Sequence, residues 1–242
     1  MDIYEEDFSS YLKIANEKPV LAQEIIKLFD KLKVKSVLDV GAGNGDLSSL
    51  IFKKVGKYTA VEPRKEFTKL LREKDINVIE GTFPCDIGKE KYDLVLCSHS
   101  VPYLQGDYEP FLKEAYEKLN KNGNLLVITY IGEGDDWNYF LRDIGVKPFV
   151  NTLVNYTNRK NFLSQLGKIK EWFIFSKLES SSIEDLVKAL GFVASAGEKD
   201  KKEDFLSKTE KIREVLKGKY YNKESGEYFF PFKHVFLTVN KK

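Results

Sequence analysis

Ser36-Val-Leu-Asp-Val-Gly-Ala-Gly-Asn-Gly45 reads as a short buried strand that runs into a tight glycine turn and then a helix. Gly41 and Gly43 let a ligand approach the backbone where a Cβ would collide, and the helix that follows offers its first amides. The spacing is GxGxG. A dinucleotide fingerprint is GxGxxG, and Asp46 stands where its third glycine would be. An acidic residue, Asp39, sits on the strand just ahead of the turn.

Working outward, strands and helices alternate. A helix near Asp46 to Lys54 is followed by a strand from Tyr58 to Glu62 and a helix near Lys65 to Glu73. Next come a strand from Asn77 to Ile79, another from Tyr92 to Cys97, a helix around Tyr108 to Leu119 and a strand from Asn124 to Tyr130. This order predicts a parallel sheet with helices on both faces. Two helices precede it, one carrying Phe8, Tyr11 and Leu12 and one carrying Leu21, Ile25, Ile26 and Phe29. Between Ile131 and Lys168 the rhythm breaks, which reads as an inserted cap with a helix around Asn158 to Leu166. A strand near Glu171 to Phe175, a helix Ser182 to Leu190, one charged surface helix from Lys201 to Lys217 and an aromatic strand from Tyr228 to Val239 complete the chain. The organisation expected is one domain: N-terminal helices 1–32, core 33–131, cap 132–168 and C-terminal elements 169–242.

The 242 residues are 42% hydrophobic and 31% charged, which excludes a disordered chain and a small stapled scaffold. Lys and Arg number 39 against 37 Asp and Glu, for a net charge of +2. A dedicated nucleic-acid binder carries a stronger basic excess, so neither a nucleic acid nor an anionic membrane is the expected partner. Cys85 and Cys97 form no metal-ligand pattern and the two histidines, His99 and His234, lie far apart, so no metal site is expected. The cysteine usage and the acidic start MDIYEEDF fit a cytoplasmic protein.

Asp39 with the GxGxG turn resembles motif I of class I S-adenosylmethionine-dependent methyltransferases. The resemblance implies a Rossmann-like, doubly wound α/β fold: a mostly parallel seven-stranded sheet with an antiparallel C-terminal strand. It implies S-adenosylmethionine as cofactor, held by Gly41 and Gly43, with Asp39 shaping the turn and Glu62, followed by Pro63, taking both ribose hydroxyls. Gly81, Thr82 and Phe83 follow the third strand, where this family places groups around the adenine; a turn with a core phenylalanine is the competing reading. Ser98 and His99 leave the fourth strand, where they face the crevice near the transferred methyl. The Asn/Asp-Pro-Pro-aromatic motif of nucleic-acid amino-methyltransferases is absent from Ser98-His-Ser-Val-Pro-Tyr103, and Cys97 reads as a core thiol.

A closer resemblance, from Tyr4 to the last strand, is to histamine N-methyltransferase and its relatives. Tyr4, Glu6, Phe8 and Leu12 match that family's N-terminal helix, which aligns Glu17 with its amine-binding glutamate. His99-Ser-Val-Pro-Tyr103 and Gly134-Asp-Asp-Trp137 match its later segments. The resemblance implies an acceptor site drawn from Tyr11, Glu17, His99, Tyr103, Trp137 and Phe232. Three departures count against histamine itself: His99 replaces a glutamine, Leu141 a tryptophan, and Phe232 falls near an asparagine. The expected activity is methyl transfer to a nitrogen or an oxygen of a small molecule, by a monomer or weak homodimer. His99 is the candidate base, its unperturbed pKa being about 6.5. His234 reads as a strand residue without chemistry. The alternatives are an RNA or protein methyltransferase and a non-catalytic S-adenosylmethionine-binding protein.

Overall fold

The computed structural model describes residues 10–100, 108–130, 136–146, 151–195 and 199–242, with the backbone alone over 151–155 and 199–201. Residues 10–14 are helical. The elements that follow are α1 (Glu17–Leu32), β1 (Ser36–Val40), α2 (Asp46–Ile51) tightening into a 3-10 turn (Phe52–Lys54), β2 (Lys57–Glu62), α3 (Lys65–Glu73), β3 (Val78–Glu80), β4 (Tyr92–Ser98), α4 (Tyr108–Glu117) and β5 (Leu119–Tyr130). Then come α5 (Asp136–Asp143), α6 (Asn151–Leu166), β6 (Ile169–Ser180), α7 (Ile183–Ser195), α8 (Lys199–Leu206), α9 (Thr209–Lys219), β7 (Tyr221–Asn222) and β8 (Glu227–Asn240).

The strands lie in the order β3-β2-β1-β4-β5-β8-β6, with the two-residue β7 added to β8 as an eighth. β1, β2, β3, β4 and β5 run parallel, and β8 enters antiparallel to β5, pairing Leu126 with Thr238 and Tyr130 with His234. This is a Rossmann-like α/β fold, a mostly parallel sheet with an antiparallel C-terminal strand.

The period-2 alternation of buried strands sorts the core onto two faces. On one, Leu38, Val40, Val95 and Val127 pack with Phe111 and Leu112 of α4 and Tyr156 and Leu163 of α6. On the other, Val37, Leu94, Leu96 and Ile128 meet Leu21, Ile25 and Phe29 of α1 and Ile51 of α2.

Contacts divide the chain into two compact units, each assembled from three segments. One comprises 18–131, 153–174 and 234–242; the other comprises 1–17, 132–152 and 175–233. The second unit is organised by aromatic rings: Trp137 and Phe140 of α5, Phe205 of α8, and Phe230 and Phe232 of β8, with Tyr220 against Phe230 at 4.8 Å.

Several boundaries differ from the sequence reading, for local reasons. β5 begins at Leu119 rather than Asn124: Leu119 pairs with Tyr92, a register shift follows, and Asn122 turns the chain at φ 64°. α6 begins at Asn151 rather than Asn158, extending over NTLVNYT, whose β-branched and polar residues are weak helix formers on their own. The charged run is two helices, not one. It breaks at Ser207 and Lys208, where the Ser207 and Thr209 hydroxyls donate to the Asp204 and Leu206 carbonyls, 2.6 and 2.5 Å away.

Candidate functional site

The carboxyl end of β1 is built by hydrogen bonds to β2. Gly41 and Ala42 donate their amides to the Val61 carbonyl at 2.8 and 3.3 Å. Gly43 donates to Glu62 Oε2 at 2.8 Å, and Glu62 Oε1 accepts from the Arg64 amide at 3.0 Å. Glu62, 5% exposed, thus fixes the glycine turn, while each carboxylate oxygen keeps a second lone pair for another donor. Gly41 (φ 78°) and Gly43 (φ 60°) are left-handed, a conformation that L side chains rarely adopt. A Cβ on Gly41 would lie 2.6 Å from Ser100 Cβ, whereas nothing comes within 4 Å of one on Gly43. The cradle is therefore closed on the Gly41 side and open over Gly43.

Asp39 points into the protein. It is 2% exposed, and its Oδ2 accepts from the Ser48 and Tyr58 hydroxyls, each at 2.6 Å. Burial pushes its carboxyl above the usual range, opposed by those two hydrogen bonds and reinforced by the charge of Glu62. Asp39 shapes the turn from behind by tying β1 to α2 and β2.

At the end of β3, Gly81 donates to the Glu62 carbonyl at 3.1 Å and Thr82 is exposed. Phe83 is 5% exposed and packs edge-on against Phe111 at 5.2 Å, so its ring belongs to the core cluster. Pro63 is exposed beyond β2.

At the end of β4, the Ser98 and Ser100 hydroxyl oxygens are buried without a hydrogen-bond partner. Such hydroxyls beside a glycine cradle are what a polar ligand would satisfy. His99 between them is left-handed at φ 53°, rare for a non-glycine residue, and its amide donates to the Ile128 carbonyl at 2.9 Å. That backbone turn brings the imidazole face to face with Tyr130, ring centroids 4.3 Å apart, and puts Nε2 3.3 Å from Nδ1 of His234. His234 is fully buried. The sequence reading missed this pair, because only the register of β8 on β5, with His234 opposite Tyr130, shows it.

In the other unit, Tyr11 donates its hydroxyl to Glu17 Oε2 at 2.7 Å, and both residues are buried. Tyr11 also meets Phe192 at 5.6 Å. Trp137 lies 6.2 Å from Phe232 and 6.0 Å from Phe230. Tyr103 lies outside the described residues.

Residues 13–169 match the family model described as a methyltransferase domain. No curated protein matches the sequence. Among solved structures, the chain is similar to the YcgJ protein from Bacillus subtilis, with 15% identity, 91% of this chain and 97% of that one covered, and a TM-score of 0.59. It is also similar to a protein from Bacillus halodurans C-125, at 19% identity, 89% and 97% coverage and a TM-score of 0.57. A third is the precorrin-6y C5,15-methyltransferase from Geobacter metallireducens GS-15, at 14% identity, 91% and 89% coverage and a TM-score of 0.53. The glycine cradle, the acidic residue at the end of β2 and the family match agree: the chain belongs to the methyltransferase-domain family, whose methyl donor is S-adenosylmethionine.

Proposed function

We propose that this methyltransferase transfers its methyl group to a nitrogen or an oxygen of a small molecule, as the resemblance to the histamine N-methyltransferase branch implies. The observation that carries the reading is the His99–His234 pair at the end of β4. An N- or O-methyltransferase has to present a neutral nucleophile in line with the methyl, about 3 to 3.5 Å away, and remove its proton. Two imidazole nitrogens at 3.3 Å require one ring to donate and the other to accept. When His99 donates from Nε2 to His234 Nδ1, its own Nδ1 is the basic nitrogen. His234 then acts as the positioning residue that selects the tautomer.

The cofactor supplies an electrophilic methyl on a sulfonium, so the protein's work is to bind, orient and deprotonate. Gly41 and Gly43 give the backbone room for it, with Asp39 holding the turn from behind. The spare lone pairs of Glu62 suit two ribose hydroxyls. Gly81 and Thr82 border the adenine side while the Phe83 ring stays in the core, Pro63 stiffens the exit of β2, and the buried Ser98 and Ser100 hydroxyls supply polar contacts. The resemblance also assigns acceptor contacts to Tyr11, Glu17, Tyr103, Trp137 and Phe232. Within their own unit, Tyr11 with Glu17 offers a carboxylate for an amine, and Trp137 with Phe232 offers aromatic faces of the kind that favour a cation.

Calorimetry with S-adenosylhomocysteine tests the cofactor half. Binding by the wild type and at least a tenfold loss in Glu62→Ala are expected; equal binding by the variant would sink the assignment. A screen of small amines and phenols with labelled S-adenosylmethionine tests the acceptor half. Cofactor binding without turnover of any small acceptor, or turnover of RNA or protein alone, would replace it. His99→Gln is expected to lower kcat by about two orders of magnitude and to remove the acidic limb of its pH profile, with cofactor affinity kept. Retention of that limb would leave His99 as a wall of the pocket.

A further inference from the structure

Arg159 of α6 is 8% exposed, and its Nε is buried without a hydrogen-bond partner. Its neighbour is a ring: the guanidinium carbon lies 5.7 Å over the centroid of Tyr108. The next residue, Lys160, is more exposed and pairs with Glu171, which also accepts from the Tyr156 hydroxyl. The Glu171 carboxylate is thus taken up by Lys160 and Tyr156, and the buried arginine pairs with no acid among the described residues. Burial lowers its pKa, with no carboxylate charge in opposition. A buried cation of this kind is costly unless an anion joins it. Guanidinium stays charged where an ammonium would give up its proton, and no described residue supplies the anion that would offset it.

Position and shape narrow the partner. Tyr108 is the first residue of α4, the helix between the parallel strands β4 and β5, so it lies at the carboxyl edge of the sheet, where His99 also lies. The edge of a guanidinium that includes Nε presents two parallel N–H groups, the fork that matches the two oxygens of a carboxylate. Tyr108 and Phe162, 6.3 Å apart and edge to face, offer apolar surface beside it. On the small-molecule reading above, on which this inference rests, we propose that Arg159 is the receptor for a carboxylate carried by the methyl acceptor, which is then an aromatic or similarly flat acid.

The test uses benzoate and its neutral isostere benzamide on the full chain saturated with S-adenosylhomocysteine. Benzoate is expected to raise the melting temperature and benzamide to leave it unchanged, with the difference abolished in Arg159→Met and partly kept in Arg159→Lys. Without any ligand, Arg159→Met should melt no lower than the wild type, since an uncompensated buried charge has been removed; a large drop would mean a structural role and overturn the inference. In turnover, acceptors offered as matched acid and amide pairs should favour the acid by tenfold or more, and Arg159→Met should erase that preference. The cofactor is the other source of a carboxylate, so binding of S-adenosylhomocysteine is compared with that of 5′-methylthioadenosine, which lacks it. If Arg159→Met weakens only the former by tenfold, the receptor serves the cofactor and the inference fails. Discrimination between benzoate and benzamide with no turnover of any small acceptor strikes the methyl-transfer reading and leaves the receptor standing. Equal turnover of amides and acids by wild type and variant strikes the receptor alone.

Discussion

Asp39 and Glu62 stand at the ends of neighbouring strands, yet the fold uses them in opposite ways. Glu62 holds backbone amides and keeps acceptor capacity toward the cradle, whereas both hydrogen bonds to Asp39 come from hydroxyls behind it. Burial raises the Asp39 pKa above 3.8, so the folded state prefers the protonated carboxyl. Its contribution to stability is therefore full below pH 3.8 and is lost as pH rises through the higher folded value, each pH step between the two removing about 1.4 kcal/mol. Asp39→Asn has no proton to lose and its amide oxygen still accepts from Ser48 or Tyr58. Urea midpoints across the acid-to-neutral range should move in favour of the variant as pH rises; a constant gap would show that Asp39 does not titrate between the two states. The two acids were legible in the sequence because strand ends and glycine spacing fix them locally. Which one turns inward was not, since that depends on Ser48 and Tyr58 arriving from two other elements.

At the scale of elements, β4 carries both a core residue and the site, and its alternation separates them. Cys97 is fully buried, and burial drives its thiol far above the ordinary range, while Cys85 is half-buried in the segment after β3. A thiol reagent such as dithionitrobenzoate should therefore modify no more than Cys85 in the native protein, and slowly, because burial raises that thiol too. Both should react on denaturation. Native labelling of Cys97 would mean that β4 opens. The strand itself was plain from the sequence. The pair made by His99 and His234 was not, nor was the helical turn ahead of Asn158, because both follow from tertiary pairing rather than from local pattern. For Arg159, composition counts a charge and cannot say that folding leaves its Nε buried without a hydrogen-bond partner.

Over the whole molecule, each compact unit contains one tryptophan. Trp137 sits in the aromatic cluster, and Trp172 of β6 stacks near Phe236 at 5.2 Å and donates its indole N–H to Glu24 at 2.9 Å. β6 and β8 each run through both units, so the two share continuous strand backbone. Trp137→Phe and Trp172→Phe, each followed by the remaining tryptophan's fluorescence in denaturant, should give coincident midpoints once corrected for each substitution's own effect. Separate transitions would show two independently stable bodies.

The sheet order also bears on how the chain is made. β8 lies between β5 and β6, although it is synthesised after both. While the chain is still emerging from the ribosome, β5 offers an unpaired edge and β6 lacks its neighbour, and the apolar faces of Val127 and Ile128 lack β8's Phe236 and Leu237. Exposed strand edges of this kind are sites of misassociation. The nascent chain should therefore depend on chaperones that shield such edges until residues 234–240 have left the exit tunnel.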